Sequence, residues 1–264
     1  MLQRLQPAWA YRGFIRSTIF NELRIRFAGS RLGGLWMILH PLLEVAIYAT
    51  VLSALMSARF SGIDSRFSYT IYLTAGIVCW SLFADIVNRS LNVFVSNAHL
   101  LKKMAFPVTC LPLMVGGAAL LNNSLLLLAV LLMLGLLGHF PGIAILVLPG
   151  FMVITVLLGI GLGFVLGILN VFIRDISQIV PIVLQLSFWL TPVVYPLDAI
   201  PQSYHWLFNF NPMFHVVQAY QTVLVFHRLP EWTGLLMVFL LSGALLALAA
   251  TLYRRAKPEL VDML

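Results

Sequence analysis

Long apolar stretches without charge alternate along this chain with short clusters of Lys and Arg. A helix that crosses a bilayer needs about 20 mostly apolar residues to traverse about 30 Å of hydrocarbon. The first such stretch runs from Leu35 to Ser57, with Glu44 its one charge, and the second from Phe67 to about Val87, ending near Asp85 and Arg89. From Met104 to Ile173 no Lys, Arg, Asp or Glu occurs, which is too long for one crossing. His139-Phe140-Pro141-Gly142 is its strong turn signal and divides it into a third and a fourth span. Pro107 and Pro112 predict that the first turns of the third span lie in the interface rather than in the hydrocarbon. A fifth span covers about Ile176 to Tyr195 and a sixth Trp232 to Tyr253. The pattern predicts an all-α integral membrane protein of six transmembrane helices in a single domain. Residues 1–34 precede the first span, 35–253 form the membrane region and 254–264 a short tail.

Composition agrees. Of 264 residues, 61% are hydrophobic and 9% charged, against about 45–50% and about 25% in a soluble domain. A chain of this size cannot hide that excess in a core, which excludes a soluble enzyme and a disordered chain. The net charge of +7 follows the spans rather than forming a nucleic-acid-binding surface. One set of connecting segments holds Arg4, Arg12, Arg16, Arg24, Arg26, Arg31, Arg89, Lys102, Lys103, Arg174, Arg254, Arg255 and Lys257; the other holds Arg59, Arg66 and Arg228. The bias places both termini in the cytoplasm. Residues 1–30 have no continuous apolar core of a signal peptide. Cys79 and Cys110 lie in apolar stretches without metal-like spacing.

Residues 9–30 read as a helix on the membrane surface. Tyr11, Phe14, Ile15, Thr18 and Ile25 share one side; Arg12, Arg16 and Arg24 share the other, with Arg26 beyond, while Phe20 and Leu23 break the pattern. A cationic anchor and a partner-docking helix both fit. Residues 89–106 are long enough for a short helix projecting from the membrane, and Asp175 is placed to cap the helix after Arg174. Residues 196–231 are too interrupted by proline to span, yet carry Tyr204, Trp206, Phe208, Phe210, Phe214, Tyr220 and Phe226. Two short interfacial or re-entrant helices turning at Asn209-Phe210-Asn211-Pro212 fit, and the rings suit either an aromatic belt or stacking against sugars.

Within the spans, Glu44 reads as a hydrogen-bonded structural or pore-edge carboxylate rather than a proton carrier, because a relay needs more titratable groups at depth. Asn122, Asn123 and Ser124 read as inter-helix glue, and Gly159, Gly161, Gly163 and Gly167 as a close-packing face, within the bundle or across a dimer. No phosphate-binding G-x-x-x-x-G-K-[ST] loop, H-E-x-x-H or G-x-S-x-G sequence occurs. A catalytic role has nothing specific behind it, and energy for uphill movement would come from another chain.

Several segments together resemble the permease subunit of ABC-2 type polysaccharide exporters, which handle O-antigen, capsule and teichoic acid. They are Arg26-Phe27-Ala28-Gly29-Ser30-Arg31-Leu32-Gly33-Gly34-Leu35-Trp36 with His40-Pro41-Leu42, and Asn97-Ala98-His99-Leu100-Leu101-Lys102-Lys103 with Phe106-Pro107 and Leu111-Pro112. To these add Asn170-Val171-Phe172-Ile173-Arg174-Asp175-Ile176, Phe188-Trp189-Leu190-Thr191-Pro192-Val193-Val194-Tyr195 and Asn211-Pro212-Met213-Phe214-His215. Gln221 departs from the pattern, standing where many relatives carry Arg.

The resemblance implies a homodimer in the bacterial inner membrane, bound to two copies of a separate ABC ATPase that holds the ATP and Mg; this chain then needs no cofactor or metal. It implies an interface helix bearing Arg12, Arg16, Arg24 and Arg26, and ATPase-coupling segments with Asn97, His99, Lys102, Lys103, Arg174 and Asp175. It implies outer gate helices and a channel to which Tyr195, Trp206, Phe208, Phe210, Phe214 and Tyr220 are candidates, carrying an undecaprenyl-diphosphate-linked polysaccharide. An ABC-2 permease for a drug or small lipid, and an ATP-independent secondary transporter relying on Glu44, are the alternatives.

Overall fold

The structure, a computed structural model, describes residues 11–26, 35–36, 39, 43, 68–103, 107–136 and 140–263. Apart from residues 35–36, 39 and 43, the expected first span, Glu44 included, lies outside the described residues, as do His139 and the side chains of Arg24, Arg26 and Lys103. Among the described residues every regular element is helical: α1 Arg12–Arg26, α2 Ser68–Ser96, α3 Ala98–Lys103, α4 Cys110–Leu136, α5 Leu148–Phe172, α6 Ile176–Leu190, α7 His205–Asn209, α8 Pro212–Phe226 and α9 Trp232–Met263. Four described helical stretches are long and apolar enough to cross a membrane: 69–96, 110–135, 142–172 and 232–260.

The boundaries differ instructively from the hydropathy reading. α2 does not stop near Val87 but continues to Ser96, 29 residues in all, because Asp85 and Arg89 pair within the helix at 2.8 Å and so do not end it. At 1.5 Å per residue it is about 43 Å long and outruns the hydrocarbon by about 13 Å. α4 begins at Cys110, after a turn at 107–109, and admits Pro112 in its first turn, where the missing amide has no partner to lose. α9 runs unbroken to Met263, so residues 254–263 are its last turns. There Arg254, Arg255 and Lys257 are exposed while Leu260 is fully buried.

α6 is the exception among the expected spans. Its 15 residues reach about 22 Å, short of the bilayer. The chain then leaves the helix at Thr191 and runs non-helically through Tyr195. α8, also of 15 residues, has ten of them buried; it packs against α2, α5 and α9, and a short helix that is mostly apolar gains its stability from such packing.

α2 and α9 both lie along α5. The glycines of α5 set the α2 contact: a Cβ on Gly159 would stand 2.9 Å from Ile86 Cγ2, and one on Gly167 2.5 Å from the Ser90 carbonyl oxygen. Gly163 faces Ser90 in the same row, while Gly161 faces Leu245 of α9 at 2.8 Å. The small-residue row thus joins helices of one chain. Asn170 Nδ2 donates to the Leu91 carbonyl (3.1 Å) in the same seam. α1 seats Ile19 against Gly117 of α4. Tyr11, Ile15 and Thr18 are its half-buried side, but Phe14 and Phe20 are exposed, Phe20 beneath the Arg16 guanidinium.

The Gly167→Ala variant should be destabilised by about 2 kcal/mol, since backbone rather than a movable side chain opposes the new methyl. Gly243→Ala, with open space at its Cβ, should be neutral or gain up to about 1 kcal/mol in helix propensity. Thermal unfolding in detergent, followed by size-exclusion fluorescence, measures both.

Candidate functional site

α2 carries polar residues at Ser81, Asp85, Asn88, Asn92 and Ser96, spaced four, three, four and four apart. That spacing puts them on one helical face, about 22 Å long at 1.5 Å per residue. The opposite face, with Leu82, Ile86 and Phe94 fully or almost fully buried, is sealed against α5 and its glycines. The polar face lies between α4 and α6 and opens into two hollows. The one toward α6 measures about 340 Å³ and is lined by Ile77, Trp80, Ser81, Ala84, Gln185, Phe188 and Trp189. The other, about 450 Å³, lies nearer the Lys/Arg-rich end, under α1, and is lined by Asn88, Arg89, Asn92, Ser96 and Asn97 with Thr18, Val93, Met114 and Val115.

The local chemistry of the two hollows differs. In the first, Trp80 meets Phe188 edge-on (centroids 5.8 Å) and Phe188 meets Trp189 the same way (5.6 Å). Flat apolar rings beside the Ser81 hydroxyl and the Gln185 amide offer both faces and hydrogen bonds. In the second, amides dominate. Asn88 and Asn97 donate to helix carbonyls at 84 and 93 (2.9 and 2.8 Å), and each amide oxygen is a further acceptor. Asn123 Nδ2 ties α4 to this face, donating to the Val78 carbonyl (2.9 Å) and to Ser81 Oγ (3.2 Å). The neighbouring Asn122 is half-buried.

The non-helical stretch after α6 has one internal backbone hydrogen bond, from the Val193 amide to the Thr191 carbonyl (2.6 Å), and is otherwise held by side chains. Tyr69 Oη donates to the Val194 carbonyl at 2.7 Å, Tyr72 Oη to those of Pro192 and Tyr195 at 3.1 and 3.2 Å, and Gln221 Nε2 to that of Pro192 at 3.1 Å. Asn211 Nδ2 donates to Thr191 Oγ1 (2.8 Å) and accepts from the Met213 amide (3.0 Å), capping α8. Gly76 makes room for Val193, its virtual Cβ standing 3.0 Å from Val193 Cγ1.

The candidate rings fall into distinct places. Trp206 and Phe210 are exposed on and just beyond α7, edge-to-face at 6.0 Å, and Phe208 leans on buried Phe214 at 5.9 Å. Tyr195 is half-buried, its hydroxyl donating to the Trp189 carbonyl at 3.0 Å. Tyr220 is fully buried, 6.0 Å from Phe151 of α5. Trp80, Gln185 and Phe188 did not stand out in the sequence as a site; their i, i+3 and i, i+4 spacing reads as ordinary helix filling until the two helices are set side by side.

At the basic end, Asn97 forms the turn between α2 and α3. His99 and Lys102 point outward and Leu100 and Leu101 inward, where α3 meets α9. Arg174 and Asp175 are exposed at the tight α5–α6 corner. Asp175 does not cap α6 with its side chain; Ser177 Oγ donates to the Arg174 carbonyl instead (2.7 Å).

The family model described as "ABC-2 type transporter" matches residues 15–225. The chain belongs to the ABC-2 type transporter family. It is similar to the O-antigen export system permease protein RfbA of Myxococcus xanthus, 28% identical over 99% of each chain. It is also similar to RfbA of Klebsiella pneumoniae, 29% identical over 76% of each, and to the polysialic acid transport protein KpsM of Escherichia coli, 24% identical over 91% of this chain and 92% of that one. In this ABC-2 chain the match takes in α2, both hollows and the Gln221 contact.

Replacing Gln221 by Leu should strip a donor from a buried carbonyl at a cost of about 1–3 kcal/mol, as should Tyr69→Phe, with both lowering the unfolding temperature.

Proposed function

We propose that this chain is the membrane permease of an ATP-driven polysaccharide exporter, and that two copies form the channel. The observation that carries the reading is the polar face of α2, in a chain that matches O-antigen export permeases along its length. A membrane helix keeps five polar residues on one side when that side meets water or cargo. Amides, hydroxyls and ring faces without deep binding pockets suit a polymer that must slide, because each contact is weak enough to release. The cargo in this reading is lipid-linked, on an undecaprenyl diphosphate carrier. The Trp80–Phe188–Trp189 rings are its sugar-contacting surface within the membrane, and Trp206, Phe208 and Phe210 lie at the outer mouth.

In the same reading both termini and the Lys/Arg-rich end face the cytoplasm of a bacterial inner membrane. α1 lies along that surface through Arg12, Arg16, Arg24 and Arg26. Residues 97–103 and 174–178 seat in clefts of two ATPase subunits, with His99, Lys102, Lys103, Arg174 and Asp175 as contacts. ATP binding closes the ATPase pair, and α3 transmits that movement to α2 and α9, against which it packs. The permease halves then change as rigid bodies. ATP and Mg stay on the partner. Phe214 and Tyr220, inside the bundle, serve here as the packing that carries α8 rather than as sugar contacts.

Affinity purification from native membranes in mild detergent should bring down a near-stoichiometric ATPase; its absence from a folded, dimeric preparation would remove the energy source. Replacing residues 97–103 by a Gly/Ser loop should abolish ATPase capture and export while membrane insertion persists. Phe188→Ala and Trp189→Ala should each reduce polymer export by about tenfold, losing roughly 1.4 kcal/mol of ring contact, scored by surface-polymer immunoblot. Full export by the double variant contradicts the sugar-contact role.

A further inference from the structure

The charge count along the proposed path is unusually bare. Between Arg31 and Arg254 the chain has Lys or Arg at positions 59, 66, 89, 102, 103, 174 and 228. Apart from Arg254, Arg255 and Lys257 in the last turns of α9, the predicted spans and the described helices long enough to cross the bilayer contain one cation, Arg89, whose Nε lies 2.8 Å from Asp85 Oδ1. The predicted first span, 35–57, holds no Lys or Arg, and its one charge is Glu44. The rest of the α2 face is neutral: Ser81, Asn88, Asn92 and Ser96. The segments at the end away from the basic one are balanced, with Arg59, Arg66 and Arg228 against Asp64, Asp198 and Glu231.

From this we infer that the polymer moved along the α2 face is an uncharged glycan, and that polyanionic glycans are rejected. The inference rests on the polysaccharide-permease reading and narrows it to a substrate class. A polymer with a carboxylate or phosphate on every repeat would bring several negative charges at once into the membrane. Each needs a nearby cation or a full hydration shell there. The one guanidinium present already faces a carboxylate. Neutral sugars need no counter-charge: their hydroxyls donate to Asn side-chain carbonyls and accept from amides, and their apolar ring faces lie on Trp80 and Phe188. The neutral wall is thus a filter by omission, in which rejection comes from missing compensation.

The experiment co-expresses this chain and its ATPase in two hosts lacking their own exporters, one making a neutral polymannose and one making polysialic acid. Surface polymer is scored, and the purified complex in nanodiscs is titrated with a neutral mannose oligomer and a sialic acid oligomer at low salt. Neutral polymer should be exported, and neutral oligomer bound, at least tenfold better than the acidic counterpart. Asn92→Lys, at an exposed position that folding tolerates, should raise binding of the sialic acid oligomer at least fivefold; Asp85→Asn, which leaves Arg89 without that carboxylate, should act in the same direction. Equal or better handling of polysialic acid by the parent chain overturns the inference while leaving the permease reading standing. If the complex assembles but neither polymer is exported and neither oligomer bound, the polysaccharide reading itself fails and this inference with it.

Discussion

A polar group inside a bilayer must find a partner in protein or water, and α2 is built around that constraint. One side of the helix is laid against α5 so closely that Gly159, Gly163 and Gly167 leave no room for a methyl group. That side is buried and apolar but for the small Ser90. The other side carries Ser81, Asp85, Asn88, Asn92 and Ser96 and is covered only in part, by α4 and α6. Because the glycine seam fixes the rotation of α2 about its own axis, it also fixes where the polar face points. A slip of one residue would turn the face by about 100° into packed helices.

The same constraint explains the short helix α6 and the buried helix α8. When α6 stops at Leu190, the carbonyls of Pro192, Val194 and Tyr195 lose their helical partners. Tyr69, Tyr72 and Gln221 replace those partners, and α8 supplies the wall that keeps lipid away. Irregular backbone is tolerated here because protein encloses it. Gln221 makes its contact with the Pro192 carbonyl through a neutral amide.

Much of this was legible in the sequence. Hydropathy located the crossing stretches at 104–173 and 232–253, proline density marked 196–231 as non-spanning, and the turn at Asn209-Pro212 separates α7 from α8. The row Gly159/Gly163/Gly167 announced a close helix contact but not its partner, since spacing alone does not distinguish a neighbour in the chain from a second copy. The end of α2 was misjudged near Val87 because Asp85 and Arg89 count as breaks until they are seen to pair. The polar face escaped notice because its five residues are scattered among sixteen, Ser81 to Ser96, and hydropathy averages over faces. Tyr220 and Phe214 looked like the rings around them; their burial is set by long-range packing against α5 and α2, which local composition does not report.

The most direct test of the account is aqueous accessibility around α2. Single cysteines at positions 81, 88, 92 and 96, and at 82, 86 and 94 on the opposite side, would be introduced into a chain whose own Cys79 and Cys110 are replaced by Ala. A membrane-impermeant thiol reagent, applied to both sides of native-like vesicles, should modify positions 88, 92 and 96 at least tenfold faster than 82, 86 and 94, with 81 intermediate. Equal protection on both faces, or faster labelling of the face toward α5, would contradict the claim that α2 presents its polar side to an aqueous path.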